Sequence, residues 1–134
     1  MRVLAVSNQK GGTGKSTTAL TVGAGLARLG RRVLLVDLDP QASMTAWLGI
    51  DAAGASMAEV LGGAQPGRLQ LQAITKTHDT RLDIAPGDIA LSNCELGLVS
   101  RLGREAVLKK TLATVAGKYD VAVLDCPPAL GLLT

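Results

Sequence analysis

Lys10-Gly11-Gly12-Thr13-Gly14-Lys15-Ser16-Thr17 lies between two segments of opposite character. Before it, Val3 to Val6 is a short apolar run with two valines, which reads as a buried strand. After it, Lys15 to Leu29 reads as a helix, with Leu20, Ala24, Ala27 and the Leu26–Leu29 pair at helical spacing. Gly30 stands just past the end of that helix, where a left-handed residue suits the chain. Val33-Leu34-Leu35-Val36 is a second apolar run, closed by Asp37. An unbroken apolar run bounded by turns marks a strand covered on both faces, as in a parallel sheet. Strand, glycine loop, helix and strand form a βαβ unit, and that context gives the glycine-rich segment its meaning.

In such a loop, successive backbone N–H groups turn inward and cradle phosphate oxygens. The helix N-terminus adds roughly half a positive charge aimed at the anion. Gly11, Gly12, Thr13 and Gly14 supply the small turning residues, and Lys15 can reach terminal phosphates as a mobile cation. Ser16 can place its hydroxyl on Mg²⁺, and Thr17 can donate to a phosphate. The usual form of the motif opens on glycine; here Gln9 holds that position.

Two further strand ends carry carboxylates. Asp37 and Asp39 follow the second run in Val36-Asp37-Leu38-Asp39-Pro40-Gln41, and Asp125 follows Val121-Ala122-Val123-Leu124. Ligands of open parallel sheets bind outside the carboxyl ends of the strands. The loop, Asp37, Asp39 and Asp125 are therefore expected on one sheet edge. There, carboxylates can hold a phosphate-bound Mg²⁺ through water and orient an attacking water. A lone aspartate at a strand end is more often a turn or cap residue; the loop changes the reading.

Between these motifs the pattern is weaker. Ser43 to Leu48 reads as a short helix, with Trp47 expected to pack beneath the segment after Asp39. Ser56-x-x-Glu59 is a capping box opening a helix through Leu61. Residues 68–80 fit alternation and helical spacing equally. Arg81 to Ala85 looks like a short strand stopped by Pro86-Gly87. Helical patterns run from Asp88 to Leu102 and from Arg104 to Val115. Arg31-Arg32 is expected to favour the C-terminus of the first long helix, while His78 and Lys109-Lys110 read as solvated.

Composition narrows the classes. The 134 residues suit one domain, 1–134, and with 47% apolar residues the chain can bury a core. Trp47, Tyr119 and no Phe leave no set of aromatic platforms for stacking bases. The net charge of +3 is spread evenly, without a basic arm or acidic tail. Cys94 and Cys126 make neither a disulfide framework nor metal-ligand spacing. No apolar span is long enough for a membrane helix, and a cytoplasmic protein is the expectation.

The three motifs together resemble a known family. Lys10-Gly11-Gly12-Thr13-Gly14-Lys15-Ser16-Thr17 is similar to the deviant Walker A motif of ParA/MinD-type ATPases, in which Gln9 is at home. Val33 to Gln41 and Tyr119-Asp120-Val121-Ala122-Val123-Leu124-Asp125-Cys126-Pro127-Pro128 resemble the next two motifs of the ParA (Soj-like) partition branch. The resemblance implies an α/β fold, a P-loop NTPase-like parallel sheet of about four strands flanked by helices. It implies that the sheet is incomplete relative to the family, whose later strands, adenine-contacting segment and most DNA-binding surface lie in a C-terminal part absent here.

It also implies roles. Lys10 matches the signature lysine that crosses the dimer interface, Lys15 the phosphate-loop lysine and Ser16 the Mg²⁺ ligand. Asp39 matches the residue that positions the hydrolytic water, Asp37 its companion near Mg²⁺, and Asp125 the Walker B carboxylate. ATP and Mg²⁺ are the implied cofactors. The implied partners are a second copy bound in the presence of ATP, non-specific double-stranded DNA and a ParB-type protein, with no membrane. The implied task is chromosome or plasmid partition.

Two other readings stay open at this level. An incomplete sheet would leave the first strand as an exposed apolar edge, a template for pairing. A chain of that kind could keep the phosphate loop without turning over ATP. The cysteines also suggest the related nitrogenase iron protein, but the glycine-rich contexts of its cluster ligands are missing. Inert buried thiols are the simpler reading.

Overall fold

The computed structural model describes residues 1–7, 14–51, 56–61, 75–92 and 107–127, without the side chains of residues 76 and 77. The elements in chain order are β1 (Arg2–Val6), α1 (Lys15–Arg28), β2 (Val33–Asp37), α2 (Ser43–Trp47), α3 (Met57–Leu61), β3 (Lys76–Asp79), β4 (Leu82–Ala85), α4 (Val107–Ala113) and β5 (Val121–Asp125). They build one sheet in the order β1-β5-β2-β4-β3. β1 and β2 both pair in parallel with β5, and β2 pairs in parallel with β4.

The apolar runs at residues 33–36 and 121–124 are central strands, buried along their whole length. Their side chains alternate between two cores. Leu34, Val36, Ala122 and Leu124 face a core shared with α3, α4, Val115 and Tyr119. Val33, Leu35, Val121 and Val123 face the other, built with Ala19, Ala24, Ala27 and Met44 of α1 and α2. Burial on both sides is why these strands read as unbroken apolar runs instead of alternating ones.

Glycines permit the closest approaches in this packing. A Cβ on Gly23 of α1 would lie 2.4 Å from Leu35 Cδ2, so any larger residue there would force the Leu35 side chain to shift. At the end of α1, Gly30 takes φ 88. The Gly30 N–H donates to Ala27 O at 3.0 Å and the Arg31 N–H to Leu26 O at 3.1 Å, closing the helix in a Schellman arrangement. The capping box of α3 forms as expected. Glu59 Oε2 accepts from the Ser56 backbone N–H at 2.8 Å, and Ser56 Oγ accepts from the Ala58 N–H at 3.1 Å.

The fold departs from expectation at several points. Among the described residues the sheet has five strands, and β3, at one margin, runs antiparallel to β4. Lys76-Thr77-His78-Asp79 carries no apolar signal; it extends because it borrows the free edge of β4. Arg81 is not in β4 but in the tight turn before it, with φ 65. Trp47 is 57% exposed instead of packed. Arg32 does not serve the end of α1: it binds Asp120 through Nη2 at 3.0 Å and Gly117 O through Nη1 at 3.3 Å. Arg81, in the turn before β4, also reaches the end of α1, its Nη1 donating to Gly30 O at 2.9 Å.

β1 forms one margin of the described sheet, and Val3 and Leu4 are 48% and 42% exposed there. The run Val3 to Val6, read as a buried strand, is thus largely exposed in the described sheet, as the resemblance foresaw for an edge. The expected helix from Asp88 is described only through Ser92, and the rest of it, with Cys94, lies outside the described residues, as do residues 68–74.

Candidate functional site

β2 and β5 lie side by side in register, Asp37 opposite Asp125, so both carboxyl ends reach the same edge. α1 starts at that edge, with Gly14 at φ 78 as its cap. That left-handed conformation suits a residue without Cβ. Lys15 and Ser16 follow on the buried stripe of α1 that also holds Ala19 and Gly23. Lys10, Gly11, Gly12 and Thr13 lie outside the described residues; Thr17 is exposed.

The charged groups meet closely. Lys15 Nζ donates to Asp39 Oδ2 at 3.0 Å and makes a short bond to Asp125 Oδ1. Ser16 Oγ donates to Asp125 Oδ2 at 2.6 Å. Lys15, Asp39 and Asp125 are all buried. Burial by itself draws the Lys15 pKa down, but the hydrogen bonds and charges of Asp125 and Asp39 outweigh it and leave it raised. Lys15 is thus a firmly held ammonium between two carboxylates.

Asp39 is fixed from its other side. Its Oδ1 accepts the Gln41 N–H at 3.0 Å, and its carbonyl accepts the Ala42 N–H at 2.8 Å. The turn is tight enough to hold Ala42 at φ 51, a conformation that costs an L-residue about 1 kcal/mol or more. Asp37 lies deeper. Its Oδ1 accepts the Asp39 N–H at 3.2 Å, while Oδ2 accepts both the Thr45 N–H at 3.0 Å and the Thr45 hydroxyl at 2.6 Å. Burial pushes its pKa up to about 6, against the pull of the Thr45 hydrogen bonds. Lys15, Ser16, Asp39 and Asp125 are therefore in direct contact, and Asp37 touches them through the Asp39 backbone.

Thr45 and Gly87 were not visible in the sequence as site residues. Thr45 Oγ also accepts the Gly87 N–H at 3.0 Å, and a Cβ on Gly87 would lie 2.7 Å from the Asp37 carbonyl. The pair ties the end of β4 to the end of β2. No spacing rule links a threonine in a short helix to an aspartate eight residues earlier. Thr45→Val removes a donor to a buried carboxylate and an acceptor for a buried N–H. It is expected to cost about 2–3 kcal/mol in urea denaturation near neutral pH, and Thr45→Ser to recover most of that.

Donor chemistry at the site suits a hard cation. Ser16 and Asp125 offer a hydroxyl and a carboxylate oxygen, and Asp125 already faces a positive charge. Among the described residues, no three or more His, Cys, Asp or Glu are grouped to hold a metal by themselves. Mg²⁺ is commonly held this sparsely, by one or two carboxylates with substrate phosphates supplying further oxygens. Cys126 is buried, and burial pushes its thiol up to about 11, as fits an inert side chain. No described helix is long and apolar enough to cross a membrane.

Fold and site define a P-loop NTPase-like α/β domain, with the lysine at the start of α1 facing the carboxylates that end β2 and β5. The AAA domain family model AAA_31 matches residues 1–134, and the chain belongs to that family. The resemblance to ParA and Soj is borne out. The chain is 43% identical over 133 residues to the sporulation initiation inhibitor protein Soj of Bacillus subtilis, covering 99% of this chain and 52% of that one. It is 41% identical to the chromosome partitioning protein ParA of Caulobacter vibrioides, covering 100% and 51%. A Mycobacterium smegmatis structure described as cobyrinic acid a,c-diamide synthase with bound ATP analogue and magnesium superposes with a TM-score of 0.91 at 46% identity. The match spans 99% of this chain and 54% of that one. The chain spans about half the length of these relatives.

Proposed function

We propose that this chain carries the nucleotide site of a partition ATPase, binding ATP with Mg²⁺ and hydrolysing it to ADP and phosphate. The carrying observation is the convergence of Lys15, Asp39 and Asp125, with Ser16 bonded to Asp125. The likeness to Soj, ParA and an ATP-analogue-bound structure supports the same reading. Gly11 to Gly14 and Thr17 cradle the phosphates, and Lys15 pairs with the terminal ones. Ser16 and Asp125 hold Mg²⁺. Asp37, with three protein donors already on its oxygens, acts on the cation only through water and otherwise steadies Asp39. Asp39 orients the attacking water, and Lys10 reaches across a dimer. Bound Mg²⁺ neutralises charge developing on the phosphate oxygens. ATP-dependent dimerisation, non-specific DNA binding and a ParB-type partner complete the proposal, with the cytoplasm and nucleoid as the place of work.

Lys15→Ala tests it. Single-turnover hydrolysis is expected to fall roughly 100-fold or more, as when a group that stabilises transition-state charge is removed. Equal rates for wild type and variant sink the ATPase reading. A second reading is phosphate binding without turnover, since the contacts among Lys15, Ser16, Asp39 and Asp125 speak for holding an anion and a cation and not by themselves for hydrolysis. Under that reading ATP binds to the wild type and not to Lys15→Ala, and neither hydrolyses it.

A further inference from the structure

One side of α1 stays open where the helix faces the turn between β3 and β4. Ala19 and Gly23 are buried against the sheet, while Leu20, Ala24 and Ala27 are half-buried. Spaced by four and three residues, those three form one stripe along two turns of helix. With Leu48 and Leu82 they floor a groove of about 500 Å³ between α1 and the β3–β4 turn. Arg28 and Arg81 stand on its rim, with His78 and one carboxylate, Asp79. Asp79 is engaged in its own turn, where Oδ1 accepts the Thr80 N–H at 2.7 Å.

The positive charge at this end of α1 exceeds what the fold uses. The bond from Arg81 to Gly30 O holds its guanidinium beside Arg28 and Arg31, and all three residues are exposed. A helix C-terminus carries only about half a negative charge, too little to occupy three cations. Among the described residues none of the three has a carboxylate at ion-pair distance, and the nearby Asp120 is taken by Arg32 at 3.0 Å. We propose that this groove docks an acidic amphipathic helix of a partner protein. Its apolar side chains at i, i+4 and i+7 would lie on Leu20, Ala24 and Ala27, and its carboxylates would meet Arg28, Arg31 and Arg81. An apolar floor with charges along its rim is what helix-in-groove recognition requires. Guanidinium forks match carboxylates bidentately. The floor favours a protein segment over a nucleic-acid backbone, whose binding rests on phosphate contacts and gains nothing from leucine and alanine. The second half of α1 carries the groove, away from Lys15 and Ser16 at its start, so nothing here rests on the nucleotide reading.

A synthetic peptide of about 16 residues, long enough to hold a helix, is the probe, with leucines at i, i+4 and i+7 and glutamates on its flanks. Chemical-shift mapping on the ¹⁵N-labelled wild-type chain is expected to place it on Leu20, Ala24, Ala27 and Thr80. Arg28→Glu combined with Arg31→Glu is expected to weaken binding about tenfold or more while leaving the urea midpoint unchanged. Added salt is expected to weaken the wild-type complex. A peptide with lysines for the glutamates, and one with serines for the leucines, are each expected to lose binding.

The proposal is overturned if the glutamate peptide fails to bind at millimolar concentration, if either control peptide binds as well, or if the charge reversals leave its affinity unchanged. Two further results overturn it by naming another occupant. A DNA duplex that shifts the same residues more strongly than the peptide assigns the surface to nucleic acid. Self-association of the free chain through those residues assigns it to a second copy. The peptide measurements use wild type alone and do not depend on the variant folding. No nucleotide enters any of them, so a chain that docks the peptide and fails to hydrolyse ATP loses the enzymatic reading and keeps this one.

Discussion

Asp125→Ala is expected to destabilise the protein by about 3–5 kcal/mol in urea denaturation near neutral pH, the range for breaking a buried ion pair by removing one partner. The residue is fully buried at the end of the central strand β5 and takes Lys15 on one oxygen and Ser16 on the other. Truncation leaves the ammonium with Asp39 alone, leaves the Ser16 hydroxyl without its acceptor, and opens a small polar void. Asp125→Asn should cost much less, because its carbonyl can still accept from Lys15. The sharper expectation is for the double variant. Lys15→Met in the Asp125→Ala background removes the charge that the first substitution strands. The pair is therefore expected to cost at least about 2 kcal/mol less than the two single effects added together. Additive losses would mean that Lys15 and Asp125 are not coupled in the folded protein, contrary to their contact.

The aspartates that end β2 and β5 point to one edge of the sheet for a single physical reason. Apolar runs that end in aspartate are legible because strands covered on both sides cannot carry polar residues until they emerge. Val33 to Asp37 and Val121 to Asp125 show this, and their in-register pairing brings the carboxylates together. What stayed hidden depends on neighbours that sequence distance does not encode. β3 is a strand through its pairing with β4, and its polar residues give no periodic signal. Arg32 is drawn 88 residues along the chain to Asp120, whose carboxyl it holds down to about 2, in preference to the nearby helix end. Thr45 looks like a surface residue of a five-residue helix, yet it is the main donor to Asp37. The broad chemistry of the site was readable from strand ends and a glycine loop. The second layer that orients it was not, because a hydroxyl is placed by packing and not by pattern.

That second layer sets the other large effect. Between about pH 4 and about pH 7.5, in metal-free buffer, wild type is expected to lose about 2.5 kcal/mol of stability relative to Asp37→Asn, most of the roughly 3 kcal/mol available over the full range. The magnitude comes from a carboxyl raised from 3.8 to about 6, at about 1.4 kcal/mol per unit. Its folded-state pKa lies above the unfolded one, so the native state holds the proton more tightly. The stabilisation is fully present below 3.8 and is lost as pH rises through about 6. Carboxyls held low, such as Asp120 and Glu59, work in the opposite direction, but both proteins contain them and they cancel in the comparison. The asparagine oxygen can still accept both Thr45 donors, while its amide meets the Asp39 N–H donor to donor. That mismatch is a fixed cost, independent of pH, and changes the offset of the two stability curves but not their divergence. Urea midpoints measured across the range therefore isolate the titration. Parallel curves would show that Asp37 titrates at its ordinary value and that its burial is relieved by solvent; divergence with wild type gaining toward acid would show a carboxylate kept ionised at neutral pH at a cost to the fold.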